Sequence, residues 1–435
     1  MSLATSSSTV QTLQTSLQAK AKAEPAFRFY SLWDKVCRAD VLWVAYRRCR
    51  ANRGAPGYDD ISFQQIEDQG VDGWLERLRQ ELMAGEYRPQ PLLRVWIPKA
   101  QGGQRPLGIP TIRDRVVQMA MLLVIGPIFE ADLLPRQYGF RPGLDAKMAI
   151  RMTHFGIAQR GKREVVDADL SDYFNTIPHG ELMRCISRRI ADGTVLSVIR
   201  QWLKVPVVER CEGSEKRTTE AKDKNRGTPQ GGIVSPLLSN LYFRRFLLAW
   251  QKLGFGQRLR AEVVNYADDL VILCPNGRGE AAMEAMRQIM SRLGLTINEK
   301  KTRLVKLPGE HFDFLGYTFG EFHGKDGRPY WGTRPSKKAI KRLKLGYPRR
   351  HVVTVERHHG RKPGCRNQPH AARLGELLQS GTGHENLSRP ARLHGPTTAN
   401  LVDAPERKKG NGVSPVSRRV SLRNLEALPT AAKAY

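Results

Sequence analysis

The stretch that decides the fold reads VVNYADDLVIL and runs from Val263 to Leu273. Two runs of β-branched and aliphatic residues flank an aspartate pair, which predicts a β-hairpin with Asp268 and Asp269 at or beside its turn. Adjacent carboxylates repel each other, and a cation between them relieves that repulsion. Mg²⁺ prefers carboxylate oxygens and leaves coordination positions open for phosphate oxygens. The stretch therefore predicts a metal-binding hairpin, with a solvated surface turn as the alternative.

A second acidic stretch lies upstream and reads VVDADLSDYF, from Val165 to Phe174. In a strand, Val165, Asp167 and Asp169 share one face, so Asp169 lies at the strand's end. A single Asp in such a position usually caps the next helix, and Asp172 fits that role. With the later pair, however, Asp169 completes the carboxylates of a two-metal site for nucleotidyl transfer. There, one ion activates a primer 3′-hydroxyl and the other holds the triphosphate and the leaving pyrophosphate.

A third segment, RGTPQGGIVSPL from Arg226 to Leu237, lies between the two acidic stretches. Its glycines let the main chain approach a ligand closely, and Ser235-Pro236 is typical of a helix start. An ordinary turn before a helix explains the glycines and the proline. It does not explain Gln230, which is therefore a candidate for ligand contact.

The composition indicates a globular protein with a polyanionic partner. The chain has 435 residues, a formal net charge of +29 and a pI near 10.2, which favours nucleic acid as the partner. Six scattered cysteines lack zinc-ligand or redox spacing. No run approaches the roughly 20 apolar residues of a membrane span. We therefore expect a cytoplasmic protein without a membrane partner, associated with the nucleoid through nucleic acid.

The pattern of apolar residues divides the chain into five regions around an α/β body. We expect a flexible leader at 1–26, a helical N-terminal extension at 27–87, the catalytic body at 88–320, a further short domain start at 321–345 and a basic tail at 346–435. The tail lacks Ile, Phe, Trp and Met and is rich in Arg, Gly, Pro and His, so it cannot build a core. We interpret it as disordered and out of frame from about Leu345, with a native RNA-binding tail as the alternative.

The motifs, taken in order, resemble those of reverse transcriptases, and in particular the branch encoded by bacterial group II introns. The Tyr-x-Asp-Asp box at 266–269, Asp169 and the Gly-Thr-Pro-Gln-Gly segment at 227–231 match the catalytic motifs. Further matching blocks, which extend the resemblance over about Pro56 to Lys344, are Ile97-Pro98-Lys99, Arg105 to Pro110, Asp114-Arg115, Gln137 to Gly143, Gly294-Leu295 with Asn298, Lys301 and Thr302, and Phe314 to Tyr317.

The resemblance implies a right-hand polymerase fold, with fingers and palm in the catalytic body and the start of a thumb at 321–345. It also implies an RNA-directed DNA polymerase that uses two Mg²⁺ ions, with Mn²⁺ as a possible substitute. The ions would be held by Asp169, Asp268, Asp269 and the Leu170 carbonyl.

The same resemblance assigns five residues to nucleotide binding. Lys99 and Arg105 would clamp the triphosphate, although in so basic a chain either could instead contact template or solvent. Phe174 would exclude a 2′-hydroxyl by its bulk, the alternative being a core aromatic. Gln230 would contact the incoming nucleotide, and Lys301 would neutralise or protonate the leaving group.

The partners implied by the resemblance are structured intron RNA, an RNA template, a DNA primer and deoxynucleoside triphosphates, in support of intron splicing and retrohoming. Two alternatives stay open. One is an RNA-binding maturase, or splicing factor, whose polymerase site is vestigial. The other is a reverse transcriptase of a phage-defence or CRISPR system.

Overall fold

The computed structural model of the protein describes residues 3–98, 103–211 and 214–346; the predicted tail beyond residue 346 lies outside them. The helices are α1 (Leu3–Ala23), α2 (Trp33–Val36), α3 (Ala39–Ala51), α4 (Phe63–Asp68), α5 (Val71–Met83), α6 (Ile112–Glu130), α7 (Ala146–Ala158), α8 (Tyr173–Thr176), α9 (His179–Ser187), α10 (Gly193–Leu203), α11 (Glu220–Asp223), α12 (Ser235–Lys252), α13 (Phe255–Arg258), α14 (Gly279–Arg292) and α15 (Lys337–Gly346). The strands are β1 (Leu92–Pro98), β2 (Gln104–Ile109), β3 (Glu164–Asp169), β4 (Val207–Cys211), β5 (Ser214–Thr218), β6 (Glu262–Tyr266), β7 (Asp269–Cys274), β8 (Arg303–Lys306), β9 (Phe312–Phe314), β10 (Tyr317–His323) and β11 (Pro329–Pro335). The predicted α/β class is confirmed.

The central sheet has the strand order β6-β7-β3-β8 and is antiparallel throughout. Its strands are rich in Val, Ile and Leu because both faces are covered. One face, which carries Val165, Val264 and Val271, packs in a core with Phe312 and Phe319. The opposite face packs against α14. Because both faces of the sheet are packed, the ends of its strands are held in fixed positions.

The described residues also form two smaller sheets. The first has the order β2-β1-β4-β5, with β1 and β4 parallel and the other pairs antiparallel. The second has the order β11-β10-β9. The predicted boundary at residue 320 falls within β10, whose residues pair with β11 from Tyr317 to His323. Helix α15 begins after this sheet, at Lys337.

The N-terminal segment differs from the flexible leader predicted for residues 1–26. Residues 3–23 form α1, which packs against α3 and α6. Val10, Leu17 and Ala21 are buried, at a spacing that places them on one helical face. The Arg189 guanidinium also donates from Nη2 to the Ala21 carbonyl over 2.7 Å. The prediction was wrong because Ser, Thr and Gln on the solvent face outnumber these apolar residues. The region at 27–87 is helical, from α2 to α5.

No helix in the described part of the chain combines the length and the apolar character that a membrane crossing demands.

Candidate active site

The aspartate pair lies at a tight hairpin turn, as the sequence predicts. Tyr266 at the end of β6 pairs with Asp269 at the start of β7, which leaves Ala267 and Asp268 as the two turn residues. Ala267 has a φ of 57°, in the left-handed region that two-residue hairpins require. The buried Asn265 side chain donates from Nδ2 to the carbonyls of Ala267 (2.7 Å) and Asp269 (3.2 Å). The turn is therefore fixed from within its own hairpin.

The motif at 137–143 packs against this turn. A Cβ atom at Gly139 would overlap the main-chain nitrogen of Ala267, so only glycine allows this contact. The Gly139 carbonyl accepts a hydrogen bond from Asn240 Nδ2 over 2.7 Å, and Tyr138 N donates to the Asn265 carbonyl over 2.9 Å. The block at 137–143 thus supports the turn that carries the Tyr-x-Asp-Asp box.

Asp169 lies directly opposite Asp269 in the β3–β7 register. Side chains opposite each other on antiparallel strands project from the same face, so the two carboxylates share one side of the sheet, with Asp268 next in the turn. Asp268 and Asp269 are exposed, and Asp169 is 38% exposed. Loss of hydration on the protein side of Asp269, followed by repulsion from Asp268 and Asp169, raises the pKa of Asp269 to about 7.

Three residues of one downstream motif hold Asp169. Asn298 Nδ2 donates to Asp169 Oδ2 over 3.0 Å, and Lys301 Nζ lies 3.3 Å from the same oxygen. Thr302 Oγ1 accepts from the main-chain nitrogen of Asp169 over 3.2 Å. Lys301 was singled out from the sequence, but toward the leaving group, whereas here it is paired with a carboxylate. Asn298 and Thr302 belong to the same matching block as Lys301, but no local pattern of the sequence indicates their contacts with Asp169.

A fourth acidic side chain, that of Asp167, projects from the same face of β3 as Asp169, two residues further inside the strand. Partial burial raises the pKa of Asp167 to about 6, and this effect is opposed by the nearby Arg303. Arg303 Nε lies 3.6 Å from Asp167 Oδ2. Because Asp167 has its own cation and lies two residues inside the strand, it is separate from the open carboxylates at the strand end.

The open carboxylates suit a divalent ion that keeps water and substrate ligands. No three acidic, His or Cys side chains of the described residues converge tightly enough to enclose an ion by themselves. Mg²⁺ is commonly bound by one or two carboxylates together with substrate phosphates. Burial first, and then repulsion from the neighbouring carboxylates that Lys301 only partly offsets, raises the pKa of Asp269, and a bound cation would relieve that repulsion. Leu170 follows Asp169 and pairs with Ile297 in an antiparallel bridge.

Two of the predicted nucleotide-binding residues are in contact. Arg105 Nε donates to Gln230 Oε1 over 3.0 Å, and the Gln230 carbonyl accepts from Gly108 N over 2.7 Å. Gly231 has a φ of 112° and its α-carbon faces the Gly108 carbonyl, which explains the glycine there. Strand β2 and the 227–231 segment therefore form one unit. Lys99 lies outside the described residues.

A cavity of about 360 Å³ lies beside this unit, between β1, β2, β4 and the 226–230 segment. Its lining includes the cations Arg94, Lys224 and Arg226, with Asp172 and Gln230. The lining also includes Glu220, whose Oε1 lies 2.6 Å from Lys224 Nζ, which leaves Arg94 and Arg226 as the cations suited to a phosphate-bearing ligand.

Phe174 is mostly buried, with 8% of its surface exposed. Its ring lies 5.7 Å from the Tyr173 ring in an edge-to-face arrangement. Its carbonyl accepts a hydrogen bond from Thr228 N over 2.7 Å, which ties α8 to the 227–231 segment. The packing agrees with a core aromatic and leaves only a narrow part of the ring open to a ligand.

The fold and these carboxylates define a mixed α/β protein of the nucleic acid polymerase class. A family model described as reverse transcriptase (RNA-dependent DNA polymerase) matches residues 97–319. The chain belongs to the reverse transcriptase family.

Relatives with curated names add to this result. The chain is 32% identical over 344 residues to Protein YkfC of Escherichia coli, covering 71% of this chain and 87% of that protein. It is 33% identical over 221 residues to the group II intron-encoded protein LtrA of Lactococcus lactis, covering 49% of this chain and 34% of LtrA. It is 26% identical over 331 residues to a putative COX1/OXI3 intron 1 protein of Saccharomyces cerevisiae, covering 64% and 38%. These names confirm the resemblance to group II intron proteins, although the chain spans only about a third of LtrA.

Proposed function

We propose that this chain is an active RNA-directed DNA polymerase of the right-hand type. The observation that carries the proposal is the register that sets Asp169 opposite Asp269, with Asp268 adjacent at the turn. The three carboxylates therefore lie together at the ends of the two central strands. Nucleotidyl transfer would use these carboxylates to hold the divalent ions that neutralise the negative charge of the triphosphate.

The protein's part in the reaction is to hold charge at fixed positions. Bound Mg²⁺ would activate the primer 3′-hydroxyl and neutralise the triphosphate. Asp169, Asp268 and Asp269 would hold the ions, together with the Leu170 carbonyl. Lys301 would leave the Asp169 carboxylate when the ions bind. Its Nζ ammonium would then neutralise the departing pyrophosphate or donate a proton to it.

Binding of the incoming nucleotide would fall to the unit formed by β2 and the 227–231 segment. Arg105 would exchange its hydrogen bond to Gln230 for the triphosphate, which frees the Gln230 amide for the nucleotide. Lys99 would act with Arg105 as a second cation. The open part of the Phe174 ring would exclude a ribonucleotide 2′-hydroxyl.

The intron-encoded relatives support a proposal for the RNA that this chain binds and copies. We propose that the chain binds structured group II intron RNA and supports splicing and retrohoming in the cytoplasm. The net charge of +29 supplies the phosphate affinity that such binding needs.

The test is incorporation of a single deoxynucleotide into a DNA primer annealed to an RNA template, with the purified full chain and Mg²⁺. One added nucleotide suffices, so low processivity does not hide the activity. Incorporation that EDTA abolishes supports the proposal. Absence of incorporation at enzyme excess, with binding of the duplex retained, rejects it.

A further inference from the structure

Phe140 combines two features that an ordinary surface residue does not have. Its side chain is 54% exposed, and its φ is 56°, in the left-handed region. Bulky side chains rarely adopt this conformation because the Cβ atom approaches the following carbonyl. Strain of this kind persists where the surrounding structure enforces it, and it is concentrated at functional sites. An exposed ring that the fold holds at a cost in backbone strain indicates a ligand for that ring.

Both neighbours of Phe140 are fixed. Gly139 packs against the catalytic turn at Ala267, and its carbonyl is held by Asn240. Arg141 is 8% exposed in its side chain and is paired with Glu130, with Nε to Oε1 at 3.0 Å. Its Nη1 donates to the carbonyls of Leu134 and Gln137, each over 2.7 Å. The ring is therefore presented from a rigid loop, one residue away from the main chain that touches the catalytic hairpin.

We propose that the Phe140 ring stacks on a nucleobase next to the primer terminus. The inference rests on the proposed function, because the primer 3′-end has to reach the carboxylates at 169, 268 and 269. A strand held there would pass near the loop at 139–143, because Gly139 in that loop packs against the turn at Ala267. Nucleobases stack on aromatic rings without regard to sequence, as a template-directed enzyme requires.

The position of the ring relative to the core also favours a nucleic acid ligand. Leu144, four residues further on, packs against the central core, whereas Phe140 points away from it. The Phe140 ring therefore does not contribute to the packing of the central core. Stacking of a base on an aromatic side chain is worth roughly 5-fold to 150-fold in Kd, so loss of the ring is measurable by binding alone.

The experiment uses the full chain and a primer–template duplex in EDTA, so that binding is separated from catalysis. The fluorescent base 2-aminopurine is placed in turn at the primer terminus, at the templating position and at the next template position. Kd and the fluorescence of the bound probe are measured for wild type, Phe140→Ala, Phe140→Gly, Phe140→Trp and the control Phe155→Ala. Phe155 is 43% exposed on α7, and its ring faces the Arg160 guanidinium at 4.8 Å.

We expect Phe140→Ala and Phe140→Gly to raise Kd at least about fivefold and to abolish the quenching of one probe, while Phe140→Trp and the control match wild type. The probe position tells whether primer or template is the stacked strand. Gly suits the left-handed backbone, so wild-type binding by Phe140→Gly would mean that only the turn geometry matters and would overturn the proposal. A wild-type chain that quenches a probe through Phe140 but incorporates no nucleotide would reject the proposed function alone. A chain that incorporates nucleotides with unchanged binding in all variants would reject this inference alone.

Discussion

Asn298 holds Asp169 at two points. Its Nδ2 donates to the carboxylate oxygen Oδ2 over 3.0 Å, and its main-chain nitrogen donates to the Asp169 carbonyl over 2.8 Å. The Asn298 carbonyl in turn accepts from the main-chain nitrogens of Lys301 and Thr302. One residue therefore orients the first carboxylate and the segment that brings Lys301 to it.

We predict that Asn298→Ala raises the Mg²⁺ concentration needed for half-maximal incorporation by about 10-fold or more, the usual cost of removing a group that orients a metal ligand. Asn298→Asp should be worse, because it adds a negative charge beside Asp169. A Mg²⁺ titration of single-nucleotide incorporation measures both. The exposed Asn52, which follows α3, supplies the control Asn52→Ala. An unchanged Mg²⁺ requirement would remove Asn298 from this role.

The contact between Gly139 and Ala267 predicts the effect of one methyl group. Gly139→Ala should force the catalytic turn to shift, because the Cβ atom would overlap main-chain atoms. Overpacking of this kind costs about 1–3 kcal/mol. We expect a lower free energy of unfolding and a loss of incorporation. Gly180→Ala in α9 is the matched control, since a Cβ atom there meets nothing within 4 Å. Equal behaviour of the two variants would contradict the contact.

The raised pKa of Asp269 predicts how pH acts on the metal-free protein. The folded state keeps a proton on Asp269 up to a pKa of about 7, whereas the unfolded state loses it near 3.8. The folded state thus binds more protons in this window, so the contribution of this group to stability falls as pH rises from about 4 to 7. At pH 8 in EDTA, Asp269→Asn should therefore melt a few degrees higher than wild type. Mg²⁺ should then stabilise wild type more than the variant. A variant that melts lower at pH 8 would refute this assignment.

A single variant distinguishes the two interpretations of Phe174, exclusion of a 2′-hydroxyl and filling of the core. If the ring excludes the 2′-hydroxyl, Phe174→Ala should incorporate ribonucleotides while its discrimination between bases stays unchanged. If the ring only fills the core, the variant should lose about 3–5 kcal/mol of stability and keep its sugar preference. The ratio of deoxynucleotide to ribonucleotide incorporation, measured beside a thermal melt, decides between them. An unchanged ratio would exclude Phe174 from the selective role.

The sequence predicted the strands and the turn that carry the aspartates better than the contacts that hold them. The hairpin with Asp268 and Asp269 and the strand ending in Asp169 follow from local patterns with period two, and the structure has both. The hydrogen bonds of Asn298 to Asp169 arise from a tertiary contact over 129 residues, which no local pattern encodes. Helix α1 was missed for a related reason, since its few buried residues make sense only once α3 and α6 are present to cover them.

The central claim is that the carboxylates at the strand ends hold the metal ions for catalysis and that Asp167, further inside the strand, does not. Asp268→Asn keeps the shape of the side chain and removes the charge, and Asp167→Asn does the same for the acid that is paired with Arg303. The direct test compares single-nucleotide incorporation on an RNA template by the two variants and wild type, with folding checked by thermal melts. The account predicts a loss of about a thousandfold or more for Asp268→Asn and near wild-type incorporation for Asp167→Asn. Equal losses in both variants, or full activity in Asp268→Asn, would contradict it.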